Sequence, residues 1–145
     1  TAAVRSGINF VDTSLNYRNQ RSELSIGRAL KHLIAAGELD REEFVVCTKA
    51  GYLVPGALPK GLRESDVVGG MHCMTSEFLE NQLERSRENL GLGEIDVFYL
   101  HNPETQLDFV DRTEFYARVR KAFTMCEAAA EDGRIQYYGM ATWNG

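Results

Sequence analysis

The chain has 145 residues, of which 43% are hydrophobic and 26% charged, and its 16 Lys and Arg against 21 Asp and Glu give a formal net charge of −5. That balance belongs to a globular protein, and the length to one domain. No run approaches the ~18 apolar residues of a membrane helix, so no membrane partner is expected, and an acidic chain without a Lys/Arg cluster argues against nucleic acid. Cys47, Cys73 and Cys126 are odd in number and widely spaced, which implies a reducing setting and makes a cytoplasmic location the expectation. The chain opens on Thr1 rather than Met, and no basic leader stands at its front. Residues 2–7 read as the last turn of a helix stopped by Gly7, and the far end stops directly after a strand-like run. Both ends look cut, so the chain is expected to be a piece of a longer protein.

In chain order, residues 8–12 form a brief β-type run. Leu24, Ile26, Leu30, Leu33 and Ile34 then recur near helical spacing up to Gly37. Residues 44–49 are rich in β-branched side chains and read as a second strand. A second helix starts at Thr75–Ser76, carries Glu77 and Glu80 early, buries Leu79, Leu83 and Leu90, and stops at Gly91. Residues 96–101 are the third strand. Asp111 and Glu114 have capping-box spacing ahead of a helix whose stripe is Tyr116, Val119, Phe123 and Ala130, closing at Gly133. Residues 135–140 are the fourth strand. The 51–74 connection is long and holds Gly61, Gly69 and Gly70; loops of that length are usually functional or mobile.

Strand alternating with helix means βα units and a parallel sheet. Two α/β architectures are open: a doubly wound sheet, or an arc of a (β/α)8 barrel, of which this length holds only part since a whole barrel takes about 250 residues. The glycine fingerprint of a dinucleotide-binding open sheet is absent. Gly91-Leu92-Gly93 follows a helix instead of a strand, and residues 56–61 lack the spacing of a phosphate loop.

Parallel α/β proteins carry their chemistry at the carboxyl ends of strands. The first run ends at Asp12, with Tyr17 in the following loop; the second ends at Lys49 and the third at His101. Alternation puts Phe10 with Asp12, Cys47 with Lys49, and Tyr99 with His101 on matching faces, so three rows can converge. Each residue alone has an ordinary reading: Lys49 as a strand-end cation reaching water, Asp12 as a turn former, Tyr17 as a half-buried aromatic, His101 as a loop-entry residue. Together they suit carbonyl reduction. Hydride addition leaves an alkoxide that needs a proton, which a phenol supplies more readily beside an ammonium group. A carboxylate keeps that ammonium charged and oriented, and an imidazole can donate to the carbonyl oxygen.

These residues resemble the aldo-keto reductase family. Residues 7–17, ending Asp12-Thr13-Ser14-Leu15-Asn16-Tyr17, are similar to its D-x-x-x-x-Y signature, which Ser22, Glu23, Gly27, Ala29 and Leu30 continue. Thr48-Lys49, the run from Leu90-Gly91-Leu92 through Asp96 to Leu100-His101-Asn102-Pro103, and Gly133-Arg134-Ile135 to Gly139 resemble its next three strands. The resemblance implies a partial (β/α)8 TIM barrel of four parallel βα units over residues 1–145, incomplete at both ends and spanning the second to fifth strands. It implies a nicotinamide cofactor, NADPH with NADH possible, and a small carbonyl or alcohol substrate. Carried over, Tyr17 is the general acid, Lys49 its tuner, Asp12 the lysine's partner near the nicotinamide, and His101 the donor that orients the carbonyl. Tyr52 is a candidate for the substrate pocket. Where the family commonly has Ser-Asn against the nicotinamide carboxamide, this chain has Ala141-Thr142, leaving Thr142 as the cofactor contact; Asn144 is out of register. The adenosine and pyrophosphate sites come mainly from later strands, so the chain alone is expected neither to hold cofactor tightly nor to turn over.

Potassium-channel β subunits also resemble this family, so the rival expectation is a non-catalytic, nicotinamide-binding partner subunit. A dimerising half-barrel is a third. No metal site is expected: His72-Cys73 lacks a second ligand pair, His32 reads as a surface residue, and Cys47 as a small core residue.

Overall fold

The computed structural model describes residues 2–143. The readings placed on Thr1, Asn144 and Gly145 lie outside the described residues. Four strands, β1 (Phe10–Asp12), β2 (Val45–Ala50), β3 (Ile95–His101) and β4 (Ile135–Ala141), form one sheet in the order β1-β2-β3-β4, every pair parallel. A short α1 (Ala2–Arg5) precedes β1, and α2 (Arg21–Ala35), α3 (Ser76–Leu90) and α4 (Arg112–Glu131) are the crossovers. Sequential neighbours in a parallel sheet, each joined through a helix, are the arc of a (β/α)8 barrel; the open-sheet alternative reverses its strand order part-way.

The sheet has two unlike faces. Val46, Ala50, Phe98 and Leu100 pack outward against Leu30 and Leu33 of α2, Phe78, Leu79 and Leu83 of α3, and Ala122, Met125, Cys126 and Ala129 of α4, in one buried core. The other face carries Phe10, Val45, Val97, Tyr99 and Tyr137, half-buried to exposed, with Phe10 at 52% and Tyr137 at 68%. This is the concave face that faces inward in a complete barrel; among the described residues Cys47, Lys49 and His101 on it are buried, and so are Ile95 and Ile135 at the strand starts.

Three details of the sequence reading are corrected. β1 begins at Phe10 rather than residue 8, because Ile8 hydrogen-bonds back to Ala3 and stays 54% exposed. The α4 stripe is Phe115, Ala122, Met125, Cys126 and Ala129; Tyr116 is exposed, and Val119, Phe123 and Ala130 lie at the margin. Small side chains at Ala122, Cys126 and Ala129 let α4 sit close to the sheet, which turns Tyr116 outward. Asp111 caps α4 through the Glu114 N–H at 2.8 Å, but the Glu114 side chain pairs with Arg118 rather than closing the box. Within α2, Leu24 and Ile34 are exposed beside the groove between α2 and α3.

The 51–74 connection is ordered. Tyr52 and Val68 each bridge His72 in antiparallel fashion, a short 3-10 turn spans Glu64–Asp66, and Gln82 of α3 donates to the Ala57 carbonyl at 2.7 Å. Leu15, Val54 and Ala57 form a small second core that fastens this connection to the segment after β1.

Candidate active site

Strand register sets the height of each candidate residue. Asp12 is level with Cys47 and Val97, Lys49 with Tyr99, and His101 with Ala141, so the three stand on successive steps at the carboxyl end of the sheet. Lys49 reaches back one step: its Nζ lies 2.8 Å from both Asp12 carboxylate oxygens and 2.6 Å from the Thr13 carbonyl. Its three protons are thereby placed and the side chain is 6% exposed, whereas that of Asp12 is 49% exposed. A buried ammonium needs such a partner to stay charged. The ammonium sits 5.1 Å from the centre of the Tyr17 ring and does not donate to the Tyr17 hydroxyl in this arrangement. Beneath it, burial first and then the Asp12 and Asp96 carboxylates push the Cys47 thiol up to about 11, so that neighbour adds no charge.

Tyr17 stands on a short loop that continues the β1 path along β2: the Thr13 and Leu15 amides donate to the Cys47 and Lys49 carbonyls. After Tyr17 the chain enters α2 through Arg18, Asn19 and Gln20, all with positive φ (53°, 51° and 70°). Three successive non-glycine residues in the left-handed region are strained. The turn swings the Tyr17 ring over Lys49 and edge-on to His101, with ring centres 5.7 Å apart.

His101 is 7% exposed and held from two sides. Its Nδ1 lies 3.0 Å from the Ser14 hydroxyl, and its carbonyl accepts from His72 Nε2 at 2.9 Å. His72 Nδ1 then accepts from Gln106 Nε2 at 3.1 Å, and Gln106 Oε1 accepts from Arg118 at 3.0 Å. Burial, helped by Lys49 and His72, lowers the His101 pKa to about 4, and His72 is likewise pushed down by burial. The imidazole of His101 is therefore neutral at ordinary pH. Gly51 makes the His72 contact possible, since a Cβ there would stand 2.6 Å from His72 Nε2 and 2.8 Å from the His101 carbonyl oxygen.

Tyr52 packs edge-on between the two imidazoles, 5.2 Å from His72 and 5.1 Å from His101. Its hydroxyl is taken up by Thr105 at 3.3 Å and by Asn102 at 3.2 Å. Asn102 (φ 47°) turns its amide nitrogen to the Ala141 carbonyl at 3.0 Å, and its side-chain oxygen accepts from the Tyr52 hydroxyl and, at 2.6 Å, the Trp143 indole. Thr142 is exposed just past β4, with no hydrogen-bond partner for its hydroxyl among the described residues.

The structure thus brings Asp12, Tyr17, Lys49 and His101 together, sets Tyr52 against His101, and leaves Thr142 at the outer rim. Sequence reasoning missed Ser14, His72, Asn102 and Gln106. Ser14 lay inside the signature it had read, and Asn102-Pro103 directly after a strand end was a usable signal; nothing local in residues 72 and 106 announced their pairing.

The model of the aldo/keto reductase family matches residues 1–144. The chain belongs to the aldo/keto reductase family. Among curated relatives, it is 29% identical over 140 residues to a putative voltage-gated potassium channel subunit beta of Schizosaccharomyces pombe, covering 95% of this chain and 33% of that protein. It is 30% identical over 153 residues to D-threo-aldose 1-dehydrogenase of Pseudomonas sp., covering 97% and 42%. The chain spans about a third to two-fifths of the length of these relatives. Its fold matches the holo form of an aldo-keto reductase of Bacillus halodurans (TM-score 0.69, 22% identity, 97% of this chain and 39% of that one). It likewise matches a Bombyx mori aldo-keto reductase in complex with NADP (TM-score 0.64, 22% identity, 95% and 37%). The partial barrel is an aldo/keto reductase arc.

Proposed function

We propose that the protein carrying this chain is an NAD(P)H-dependent oxidoreductase that reduces aldehydes or ketones to alcohols, with Tyr17 as the general acid. One observation carries the reading: Asp12, Tyr17, Lys49 and His101, spread over 90 positions of sequence, meet at one end of the sheet around a buried, carboxylate-held ammonium. The family membership and the NADP complex of the silkworm relative support it.

The residues present suit a nicotinamide. The concave face is apolar and open at Phe10 and Tyr137, and Asp12 and Thr142 expose oxygen atoms at its rim. Bound there, the reduced nicotinamide supplies the hydride. Tyr17 gives its hydroxyl proton to the carbonyl oxygen as that oxygen gains charge, and the phenolate left behind is stabilised by the Lys49 ammonium beside its ring. Asp12 keeps Lys49 charged and aimed. His101, neutral and fixed through its backbone, bounds the oxygen's position, and Tyr52 closes the wall behind it. In this reading residues 1–145 are one part of a single barrel domain, and NADPH is the cofactor with NADH as the variant. The substrate is a small carbonyl or alcohol. Three buried free thiols suit the reducing cytoplasm.

The test is Tyr17→Phe in the full-length protein. Loss of a general acid costs about 10²- to 10⁴-fold in carbonyl reduction, while NADPH binding, read by fluorescence, persists. NADPH titrated into the 145-residue chain alone binds weakly and without turnover; micromolar binding with turnover overturns that part. The likeness to the fission-yeast channel subunit favours a second reading, a non-catalytic nicotinamide-binding partner. It gains if no carbonyl is reduced by the wild type and a partner-binding activity survives Tyr17→Phe.

A further inference from the structure

The outer side of α2 departs from the polar face that a surface helix ordinarily turns to water. A groove of about 740 Å³ runs between it and the end of α3. Buried Leu30 and Leu90 and half-buried Leu92 line its floor, and Leu24 and Ile34 stay exposed along it. From Leu24 to Ile34 the groove follows α2 for about 15 Å, between two and three helical turns. Its rim is charged, and unevenly so. On the α2 wall stand Arg28 and Lys31, one turn apart and both exposed. Arg28 Nε donates to the Leu24 carbonyl of its own helix at 3.1 Å. Neither cation has a carboxylate partner among the described residues. The one carboxylate of α2, Glu23, is buried against Thr48 and Asn89. On the facing wall the only acidic side chain among the described residues is Glu88, which already pairs with Arg85 at 3.6 Å. In a chain of net charge −5 this groove is therefore locally positive.

An apolar floor under a polar rim is the anatomy of a protein interface, and unpaired rim cations select a partner of opposite sign. We propose that this groove docks a short acidic amphipathic helix of another protein, its apolar ridge in the floor between Gly27 and Leu92 and its carboxylates against Arg28 and Lys31. The other occupants fit less well. A twofold pairing of this face with a second copy of itself sets the same positive rims against each other. An anionic bilayer is flat and leaves a concave floor unfilled. A helix fills it, and a ridge of side chains spaced three and four residues apart matches the length available. The docking does not depend on the oxidoreductase reading, because it uses no residue of the Asp12, Tyr17, Lys49 and His101 cluster.

The test is fluorescence anisotropy with a labelled synthetic helical peptide of about 15 residues, about four turns, whose leucine ridge is flanked by glutamates, titrated into the full-length protein. A twin peptide with lysines in place of the glutamates is the control. The glutamate peptide binds at micromolar concentration, the lysine peptide binds at least about tenfold more weakly, and raised salt narrows the gap. Arg28→Glu combined with Lys31→Glu, two exposed changes that leave carbonyl reduction untouched, reverses the preference. Ile34→Ser weakens both peptides alike, as loss of an apolar contact does. Failure of the wild type to bind the glutamate peptide overturns the proposal, and that includes a floor already filled by another part of the full-length chain. Equal binding of the two peptides overturns it as well, even if the double variant fails to fold, and so does a folded double variant with an unmoved preference. A dimer in sedimentation that Ile34→Ser splits assigns the groove to a second copy. Flotation on phosphatidylserine vesicles that the double reversal abolishes assigns it to a lipid surface. Either result overturns the partner helix.

Discussion

Gly27 is the residue through which α2 touches α3, and replacing it with Ala sets two physical effects against each other. Alanine is the better helix former by about 1 kcal/mol, so propensity alone makes Gly27→Ala stabilising. The added Cβ, however, stands 2.5 Å from the Asn89 carbonyl oxygen and 2.7 Å from that of Leu90, both backbone atoms that cannot swing away. Ordinary contact begins at 3.4 Å. The helices must therefore separate by the better part of an ångström, and overpacking of this kind costs about 1–3 kcal/mol. Separation also stretches the bond from Asn89 Nδ2 to Glu23 Oε2, 2.9 Å long and one helical turn away on the same face of α2. Glu23 is fully buried, and loss of a hydrogen bond to it adds about 1–3 kcal/mol. After the propensity gain, the net loss is about 1–5 kcal/mol. With a urea m-value of about 2 kcal/mol/M, the unfolding midpoint falls by about 0.5–2.5 M. A midpoint unchanged or raised would refute the close-approach argument, because propensity would then have decided the sign.

Two further outcomes follow from strained or unpaired groups. Burial raises the Glu23 pKa, and the hydrogen bonds from Asn89 and Thr48 only partly offset it. Its folded state therefore holds a proton that the unfolded chain has released. The stability this confers is full below the ordinary glutamate range and is lost as pH rises through the raised value. Glu23→Gln removes that decline and can donate to the Ser86 hydroxyl, which has no partner among the described residues. Urea midpoints of variant and wild type should agree near pH 4 and separate in the variant's favour toward pH 7; a gap that closes with rising pH contradicts the sign. Arg18, in the left-handed turn after Tyr17, gains from glycine: strain relief of about 1–2 kcal/mol exceeds the backbone entropy cost of about 0.5–1 kcal/mol. Thermal unfolding of Arg18→Gly should shift up by a few degrees, and a downward shift would mean that the turn is held by the Arg18 side chain.

The sequence by itself determined the elements and their order, because strand and helix periods are local and the helix ends carried Thr75, Asp111, Gly91 and Gly133 at the right offsets. It also determined which polar residues gather. Asp12, Lys49 and His101 end their strands on matching faces, and parallel neighbours necessarily bring those ends together. Only the tertiary structure decided how the gathered residues interact. Register set Asp12 one step below Lys49, so the ammonium is spent on Asp12 and Thr13 instead of the Tyr17 hydroxyl. His72 was weighed only as a metal ligand beside Cys73 and set aside, yet a folded-back connection seats it under His101, with Gln106 from the turn after β3 as its partner. The α4 stripe was misjudged by one position because Tyr116 and Phe115 are equally apolar on paper, and the close approach of Ala122, Cys126 and Ala129 to the sheet chooses between them. Pattern along a chain reports which face is apolar. How two faces meet, and where each proton goes once they do, depends on residues tens of positions apart, and no local period encodes that.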